Sequence, residues 1–179
     1  MGYARRWGKL TFAPLKAAAA LVLAACSPGA EAGLADTRSQ QTQSRSGPQA
    51  PSRHPVSGLQ IVPLTVTSGS TVHRFAVEMA DTPAAQQKGL MFRTELGQNE
   101  GMFFPSDPPA PRSFWMKNTP LALDIIFVGP DRRILNIAAD TQPYTMESVV
   151  SDGVTSGVLE LRGGRAAELG LKPGDRVEW

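Results

Sequence analysis

Cysteine and histidine are almost absent from this sequence. Its 179 residues contain one cysteine, Cys26, and two histidines, His54 and His73. A single cysteine excludes an intramolecular disulfide, and two histidines leave almost no material for a histidine-based metal site or a Ser-His-Asp triad. Phosphate-binding loops, dinucleotide-binding glycine motifs and nucleophile elbows are also missing. We therefore predict no cofactor and no metal, and no catalytic residue can be assigned.

The first 25 residues have the pattern of an export signal. Basic residues within positions 1–9 precede an apolar run, whose uninterrupted part, residues 17–25, is shorter than the roughly 20 residues that a membrane-spanning helix needs. The run ends in Leu-Ala-Ala-Cys26, which resembles a lipobox, so we predict a signal peptide over residues 1–25 and a lipid on Cys26. An ordinary secretory signal, cleaved at the Ala-Glu-Ala of residues 30–32, is the alternative.

Removal of the predicted signal peptide changes the net charge of the chain, and the signal also predicts where the protein is located. Residues 1–25 carry four of the 18 basic residues and none of the 16 acidic ones, so the remaining chain has a net charge of −2. No basic stripe survives, and we predict no nucleic-acid partner. The expected location is periplasm-facing and attached to the membrane through lipid, with the outer membrane favoured over the inner one because Ser27 follows the cysteine.

The composition divides the rest of the chain into a tether and one domain. Residues 26–58 are rich in proline, serine and glutamine and have no aromatic residue, which predicts a disordered tether. A flexible chain of this length reaches about 30 Å. From residue 59 the sequence becomes densely apolar, and residues 59–179 have the usual size of a single domain.

Alternating apolar residues and turn signals predict a mainly β domain with two short helices. The Asp81-Thr82-Pro83 segment supplies an N-cap and a proline at the first helical position of a short helix that continues over residues 84–90. Gly170 ends a second helix over residues 165–169. We expect a compact antiparallel β-sandwich or barrel-like fold. The predicted strands are 59–66, 72–79, 101–104, 113–118, 121–128, 134–138, 158–161 and 176–179, with a proline-rich surface loop over residues 105–111 and an irregular segment over 139–153.

Asp124 is a lone charge in the apolar run of residues 121–128. A buried carboxylate needs a cation or several N–H donors. In a hairpin of residues 113–118 with 121–128, Lys117 would lie opposite it, and Arg93 and Arg112 are other partners. Alternatively, the carboxylate accepts backbone N–H groups from the turn at residues 118–120 and only fixes the hairpin.

Six sequence blocks together resemble the domain of unknown function 192 family over residues 62–179. They are Gly-Leu-Met-Phe-Arg (89–93), Gly-Met-Phe (101–103), Phe-Trp-Met-Lys-Asn-Thr (114–119), Leu-Asp-Ile-Ile-Phe (123–127), Val-Leu-Glu-Leu (158–161) and Gly-Leu-Lys-Pro-Gly-Asp (170–175). The resemblance implies a mostly antiparallel β-sandwich and brings no established activity. Its motif residues are our ligand-binding candidates: Arg93, Trp115, Lys117, Asn118, Asp124 and Glu160.

The preferred functional hypothesis is a module in the cell envelope that binds a small polar ligand, with Trp115 stacking on it. A structural or assembly role, in which the domain contacts an envelope protein, is the main alternative. A hydrolase that uses Asp124 and Glu160 is a third hypothesis. A Cu(I) site of Met91, Met102 and Met116 is a fourth, although methionines in strands are more often core residues.

Overall fold

A computed structural model describes residues 52–179, and in this part of the chain it has nine strands and two short helices. The predicted signal peptide, Cys26 and most of the predicted tether lie outside the described residues. The elements in chain order are β1 (Ile61–Ser68), β2 (Thr71–Met79), α1 (Pro83–Lys88), β3 (Glu100–Ala110), β4 (Ser113–Phe114), β5 (Leu123–Val128), β6 (Ile134–Thr141), β7 (Val149–Val150), β8 (Thr155–Arg162), α2 (Arg165–Leu169) and β9 (Arg176–Glu178).

Seven of the strands form one sheet that closes on itself. Its order is β6-β5-β8-β3-β2-β1-β9, while β4 and β7 form a separate pair. The two edge strands meet: the backbone N–H of Ile134 donates to the carbonyl of Asp175 at 2.9 Å, and that of Val177 donates to the carbonyl of Arg132 at 2.8 Å. The prediction of a mainly β, barrel-like domain with two short helices is thus confirmed.

The sheet is mixed, which departs from the antiparallel prediction. Strands β2 and β3 pair in parallel, from Ala76 opposite Glu100 to Met79 opposite Phe103. Parallel neighbours need a crossover connection, since a tight turn can only reverse the chain. Helix α1 lies in that crossover, so the helix was predicted correctly but its consequence for strand direction was not.

The predicted hairpin of residues 113–118 with 121–128 is wrong. Strand β4 pairs with β7, and β5 lies between β6 and β8. All six residues of β5 are buried, because its two faces contribute to two different core clusters. Ile126 and Val128 belong to the cluster that the barrel strands share, whereas Ile125 and Phe127 pack in a second cluster with Phe104.

The proline-rich segment 105–111 was predicted as a surface loop, but most of it belongs to β3. Pairing of β3 with β8 shifts in register between Pro105 and Ala110, as expected where proline removes ladder donors. Ser106 is nevertheless buried in this stretch. The segment therefore forms an irregular strand end beside the loop that follows it.

Both helices begin and end close to their predicted positions. Thr82, within the predicted Asp81-Thr82-Pro83 start, is the N-cap of α1, and its hydroxyl accepts the N–H of Ala85 at 3.2 Å. Pro83 is the first helical residue, as predicted. Gly170 ends α2 in the left-handed conformation at φ 68°.

The last residues of the predicted tether are ordered against the domain. The N–H of Ile61 donates to the carbonyl of Ser52 at 2.8 Å, and that of His54 donates to the carbonyl of Leu59 at 2.9 Å. The His54 ring also bonds within this segment, because its Nδ1 accepts the N–H of Val56 at 3.2 Å. The folded part therefore begins before residue 59, because backbone hydrogen bonds compensate for the polar composition here.

Candidate functional site

A cavity of about 550 Å³ opens beside α1 and the outer face of β3 and β8. The loop after β4 forms its other wall. Four of the six predicted site residues line it: Trp115, Lys117, Asn118 and Glu160. The remaining lining residues are Ala84, Gln86, Gln87, Lys88, Gly89, Leu90, Met91, Phe104, Arg112, Ser113, Phe114, Thr119 and Leu123.

Trp115 and Lys117 form a pair at this cavity. The ammonium of Lys117 lies 5.2 Å from the centroid of the Trp115 ring, within the range of a cation–π contact. The tryptophan is 46% exposed although it is a large apolar residue. An exposed indole beside a cavity offers a flat surface on which a ligand can stack.

Asn118 shapes the loop that carries this pair. Its φ is 55°, a left-handed conformation that asparagine tolerates better than most residues. Its carbonyl accepts the N–H of Phe92 at 2.8 Å, and its side-chain amide contacts the sulfur of Met91 at 3.9 Å. These contacts join the loop after β4 to the segment after α1, so that both walls of the cavity are connected.

Glu160 supplies the acidic group of the cavity. It lies on β8, opposite Met102 of β3 and Ile125 of β5, and is 5% exposed. No residue within the described range forms an ion pair with its carboxylate. Burial raises the pKa of Glu160 to about 8, so near neutral pH this group is a protonated acid that can donate a hydrogen bond.

Arg112 belongs to the site but was predicted only as a partner of Asp124. Its Nη1 donates to the hydroxyl of Ser106 at 3.2 Å, and its Nη2 donates to the amide oxygen of Gln86 at 3.1 Å. The guanidinium lies 5.5 Å from the centroid of the Phe114 ring. Burial lowers the pKa of Arg112 from its ordinary value. Its position gives no sequence signal for a ligand site, since the preceding prolines predict a surface loop.

Asp124 is not part of the cavity. Its Oδ1 accepts the N–H groups of Asp140 at 2.8 Å and Gly164 at 3.0 Å, and its Oδ2 accepts that of Ala166 at 2.6 Å. The alternative prediction that backbone N–H groups satisfy the carboxylate is confirmed, but the predicted donors are wrong. The donors belong to β6 and to the start of α2 rather than to residues 118–120. Lys117 is not its partner. The hypothesis of a hydrolase therefore cannot use Asp124 as a catalytic residue. Its carboxylate is fully buried, and both oxygens already accept backbone N–H groups.

Arg93 also lies away from the cavity lining. Its Nη1 forms a 2.7 Å ion pair with Oε1 of Glu78, and its Nη2 lies 3.2 Å from Nε2 of His54. All three side chains are largely buried. This cluster holds the turn before β1 against β2 and the segment after α1, which is a structural role.

The three methionines of the Cu(I) hypothesis have different surroundings. Met102 and Met116 are buried in the second core cluster, and the sulfur of Met116 accepts the hydroxyl of Thr141 at 3.2 Å. Only Met91 lines the cavity. Within residues 52–179, no group of three histidine, cysteine, aspartate or glutamate side chains is placed to hold a metal ion.

The model of the family called domain of unknown function 192, described as an uncharacterized ACR family, matches residues 64–179. The chain belongs to this family. A crystal structure of a protein of unknown function from Novosphingobium aromaticivorans DSM 12444 is similar with 59% identity and a TM-score of 0.71, over 74% of this chain and 94% of that one. No curated protein matches this chain significantly.

A second solved structure of similar fold is that of a protein from Sinorhizobium meliloti 1021, described as a proposed transcription regulator. It is 33% identical, with a TM-score of 0.65, over 67% of this chain and 94% of that one.

In the present chain, the six sequence blocks of the domain of unknown function 192 family have two roles. Residues from the blocks at 89–93, 114–119 and 158–161 line the cavity, whereas Asp124 and Asp175 satisfy backbone N–H groups of the fold.

Proposed function

We propose that this domain is a binding module for a small polar ligand, and that the cavity beside α1 is its binding site. The observation that carries this proposal is that Trp115, Lys117 and Asn118 from the loop after β4 and Glu160 from β8 all line one cavity of about 550 Å³. Cavities of this volume fit small molecules, and ligand sites combine apolar walls with a few polar groups. Phe104, Phe114 and Leu123 supply apolar walls here.

Each polar residue contributes a different interaction in this proposal. Trp115 stacks on a flat part of the ligand, and Lys117 provides a positive charge beside it. Asn118 is held in its position by the bond from the Phe92 N–H. Glu160 donates a hydrogen bond from its protonated carboxyl group.

A thermal-shift screen of saccharides, amino acids and organic acids with the purified full chain tests the proposal. We expect at least one compound class to raise the melting temperature of the wild type and to have no effect on Trp115→Ala. Phe92→Ala is the matched control, since Phe92 is an exposed aromatic residue that does not line the cavity. Equal shifts in wild type and Trp115→Ala would contradict binding at this site.

The proposed place of action is the cell envelope, with the domain attached through a lipid on Cys26. The support is the signal-like sequence of residues 1–25 and the tether after it. No helix within the described residues is long and apolar enough to cross a membrane. Metabolic labelling with a radioactive fatty acid should label the wild type and not Cys26→Ser. A mature protein that starts after Ala32 without lipid would disprove the anchor and leave export intact.

A second candidate is an assembly role, in which an envelope protein docks on exposed apolar side chains. Phe92 is 71% exposed and Tyr144 is 63% exposed. Their loops are joined, because the N–H of Phe92 bonds to the carbonyl of Asn118 and that of Tyr144 to the carbonyl of Thr119. Crosslinking in cells should recover one partner with wild type and lose it with Phe92→Ser/Tyr144→Ser. Loss with Val72→Ser, exposed on β2, would instead indicate nonspecific capture.

A further inference from the structure

Arg112 has a positive charge that no described acidic residue neutralises. Its described side-chain partners are the neutral oxygens of Ser106 and Gln86. A guanidinium has five N–H donors, and these two bonds use one on each terminal nitrogen. The Nε–H and one N–H of each terminal nitrogen therefore have no partner among the described residues.

Arg93 is a comparison for Arg112, because it is a largely buried arginine with a structural role. Arg93 lies 2.7 Å from the Glu78 carboxylate, within an ion pair. Partly buried charges are costly unless an opposite charge or several hydrogen bonds compensate them. Arg112 has no such acidic partner among the described residues and lines the cavity, so its unused N–H groups can bind an anionic group of a ligand that enters there.

The other charged groups of the cavity point to the same class of ligand. Lys88 on α1 and Lys117 on the loop after β4 add positive charge, and Glu160 on β8 is the one acidic side chain among the described lining residues. Because burial raises the pKa of Glu160 to about 8, it adds no negative charge near neutral pH. Phe104, Phe114 and Trp115 favour an apolar or aromatic body on the ligand.

We propose that the cavity binds a small organic carboxylate, with the Arg112 guanidinium anchoring its carboxylate group and the aromatic walls holding its apolar body. This inference rests on the proposed binding function and narrows it to one ligand class. The planar fork of arginine matches the two oxygens of a carboxylate. A neutral isostere of the same shape lacks the charge that Arg112 needs.

Calorimetric titration of the purified full chain at pH 7 with phenylacetate and phenylacetamide tests this directly. The two probes differ in charge and hardly in shape. We expect phenylacetate to bind at least about tenfold more tightly, the factor that one modest charge-assisted hydrogen bond provides. Phenyl phosphate is the third probe, and tighter binding of the phosphate than of the carboxylate would overturn the choice of ligand class.

Substitutions locate the anchor. Arg112→Gln should abolish the preference for phenylacetate over phenylacetamide, and Arg112→Lys, which keeps the charge but not the fork, should reduce it. Arg74→Gln is the matched control, because Arg74 is exposed on β2 and does not line the cavity. Circular dichroism checks that each variant is folded. An unchanged preference in folded Arg112→Gln would overturn the assignment.

A pH series separates the role of Glu160 from that of the basic residues. The wild-type affinity for phenylacetate should fall between pH 7 and pH 9, because an ionised Glu160 repels the ligand. Glu160→Gln should remove this fall, and since it retains Lys88, Arg112 and Lys117, any titration of those groups is present in both proteins. The same fall in Glu160→Gln would contradict a donor role for Glu160.

The outcomes distinguish this inference from the proposed function. Equal binding of phenylacetate and phenylacetamide, with loss of both in Trp115→Ala, would overturn the carboxylate inference and leave the binding module standing. Failure of every probe and of the compound screen to bind the wild type would overturn both.

Discussion

The carboxylate of Asp124 accepts the backbone N–H of Ala166 at 2.6 Å, across 42 positions of sequence. Its other oxygen accepts the N–H groups of Asp140 and Gly164. The donors belong to the end of β6 and to the start of α2, both of which meet β5 at this point. One buried side chain therefore fixes the position of α2 at the end of the barrel.

Asp124→Asn should destabilise the fold by about 2 to 4 kcal/mol. The amide group directs its own N–H groups at backbone donors, which leaves buried N–H groups without an acceptor. Urea unfolding monitored by tryptophan fluorescence measures the change. Asp140→Asn is the matched control: Asp140 is exposed, at φ 48°, and should change stability by less than about 0.5 kcal/mol. Equal effects would show that the three bonds contribute little.

The sequence indicated that Asp124 needs buried partners, but it could not name them. A lone charge in an apolar run implies compensation wherever the strand lies. The choice of donors depends on which strands are neighbours, and the hairpin assigned to β5 was wrong. Turn and cap signals are local, which explains why both helices and the barrel-like class were predicted well. Strands β2 and β3 are joined by a connection of twenty residues. Local sequence patterns do not indicate whether two strands so far apart pair in parallel or antiparallel.

Gly101→Ala should destabilise the domain and weaken ligand binding together. A Cβ at Gly101 would lie 2.5 Å from the backbone oxygen of Glu160 and 3.0 Å from Leu161 Cδ2. Strands β3 and β8 would have to separate where Glu160 reaches the cavity. We expect a loss of about 1 to 3 kcal/mol in the free energy of unfolding, measured in urea.

Gly153→Ala is the control for this substitution, because a Cβ there meets nothing within 4 Å. It should leave stability unchanged or raise it slightly, since alanine restricts the unfolded chain. If Gly101→Ala were as well tolerated as Gly153→Ala, the close approach of β3 to β8 would not constrain the site.

The stability of the wild type should fall as the pH rises from about 5 to 8. The folded-state pKa of Glu160 is raised from 4.5 to about 8 by burial, so in this window the folded state holds a proton that the unfolded state has released. The stabilisation is complete below pH 4.5 and is lost by pH 8, with a slope of up to about 1.4 kcal/mol per pH unit from this group. Glu160→Gln should remove that component of the slope in urea unfolding at pH 5, 6, 7 and 8. A slope identical to that of the wild type would show that Glu160 is ionised in the folded protein.

The candidate site was predicted in part, and the errors have a common physical origin. Trp115, Lys117 and Asn118 are adjacent in sequence, so one motif was enough to place them together. Glu160 was a candidate only because it belongs to a sequence block of the family. The pairing of β8 with its neighbouring strands brings it to the same cavity. Arg112 was missed as a ligand-binding residue because its role depends on Ser106 and Gln86, which are contacts between segments that sequence pattern does not connect.

Phe92→Gly should stabilise the domain, although it removes a large apolar side chain. Phe92 has a φ of 65° and is 71% exposed, so its ring buries little surface while its backbone is in a conformation that costs an L-residue about 1 to 2 kcal/mol. Glycine relieves this cost and partly offsets the gain through its larger unfolded-state entropy, which leaves an expected increase of about 0.5 to 1 kcal/mol in urea unfolding.

Phe92→Ala separates the backbone from the ring, since alanine keeps the strain and loses the aromatic group. It should be no more stable than the wild type. A loss of stability in Phe92→Gly equal to that in Phe92→Ala would show that the exposed ring contributes to the fold. If glycine stabilises as expected, the chain retains a strained, exposed phenylalanine at a cost in stability, and strained positions of this kind concentrate at functional sites. That result would favour a contact of this loop with a partner, beside the cavity that Trp115 lines.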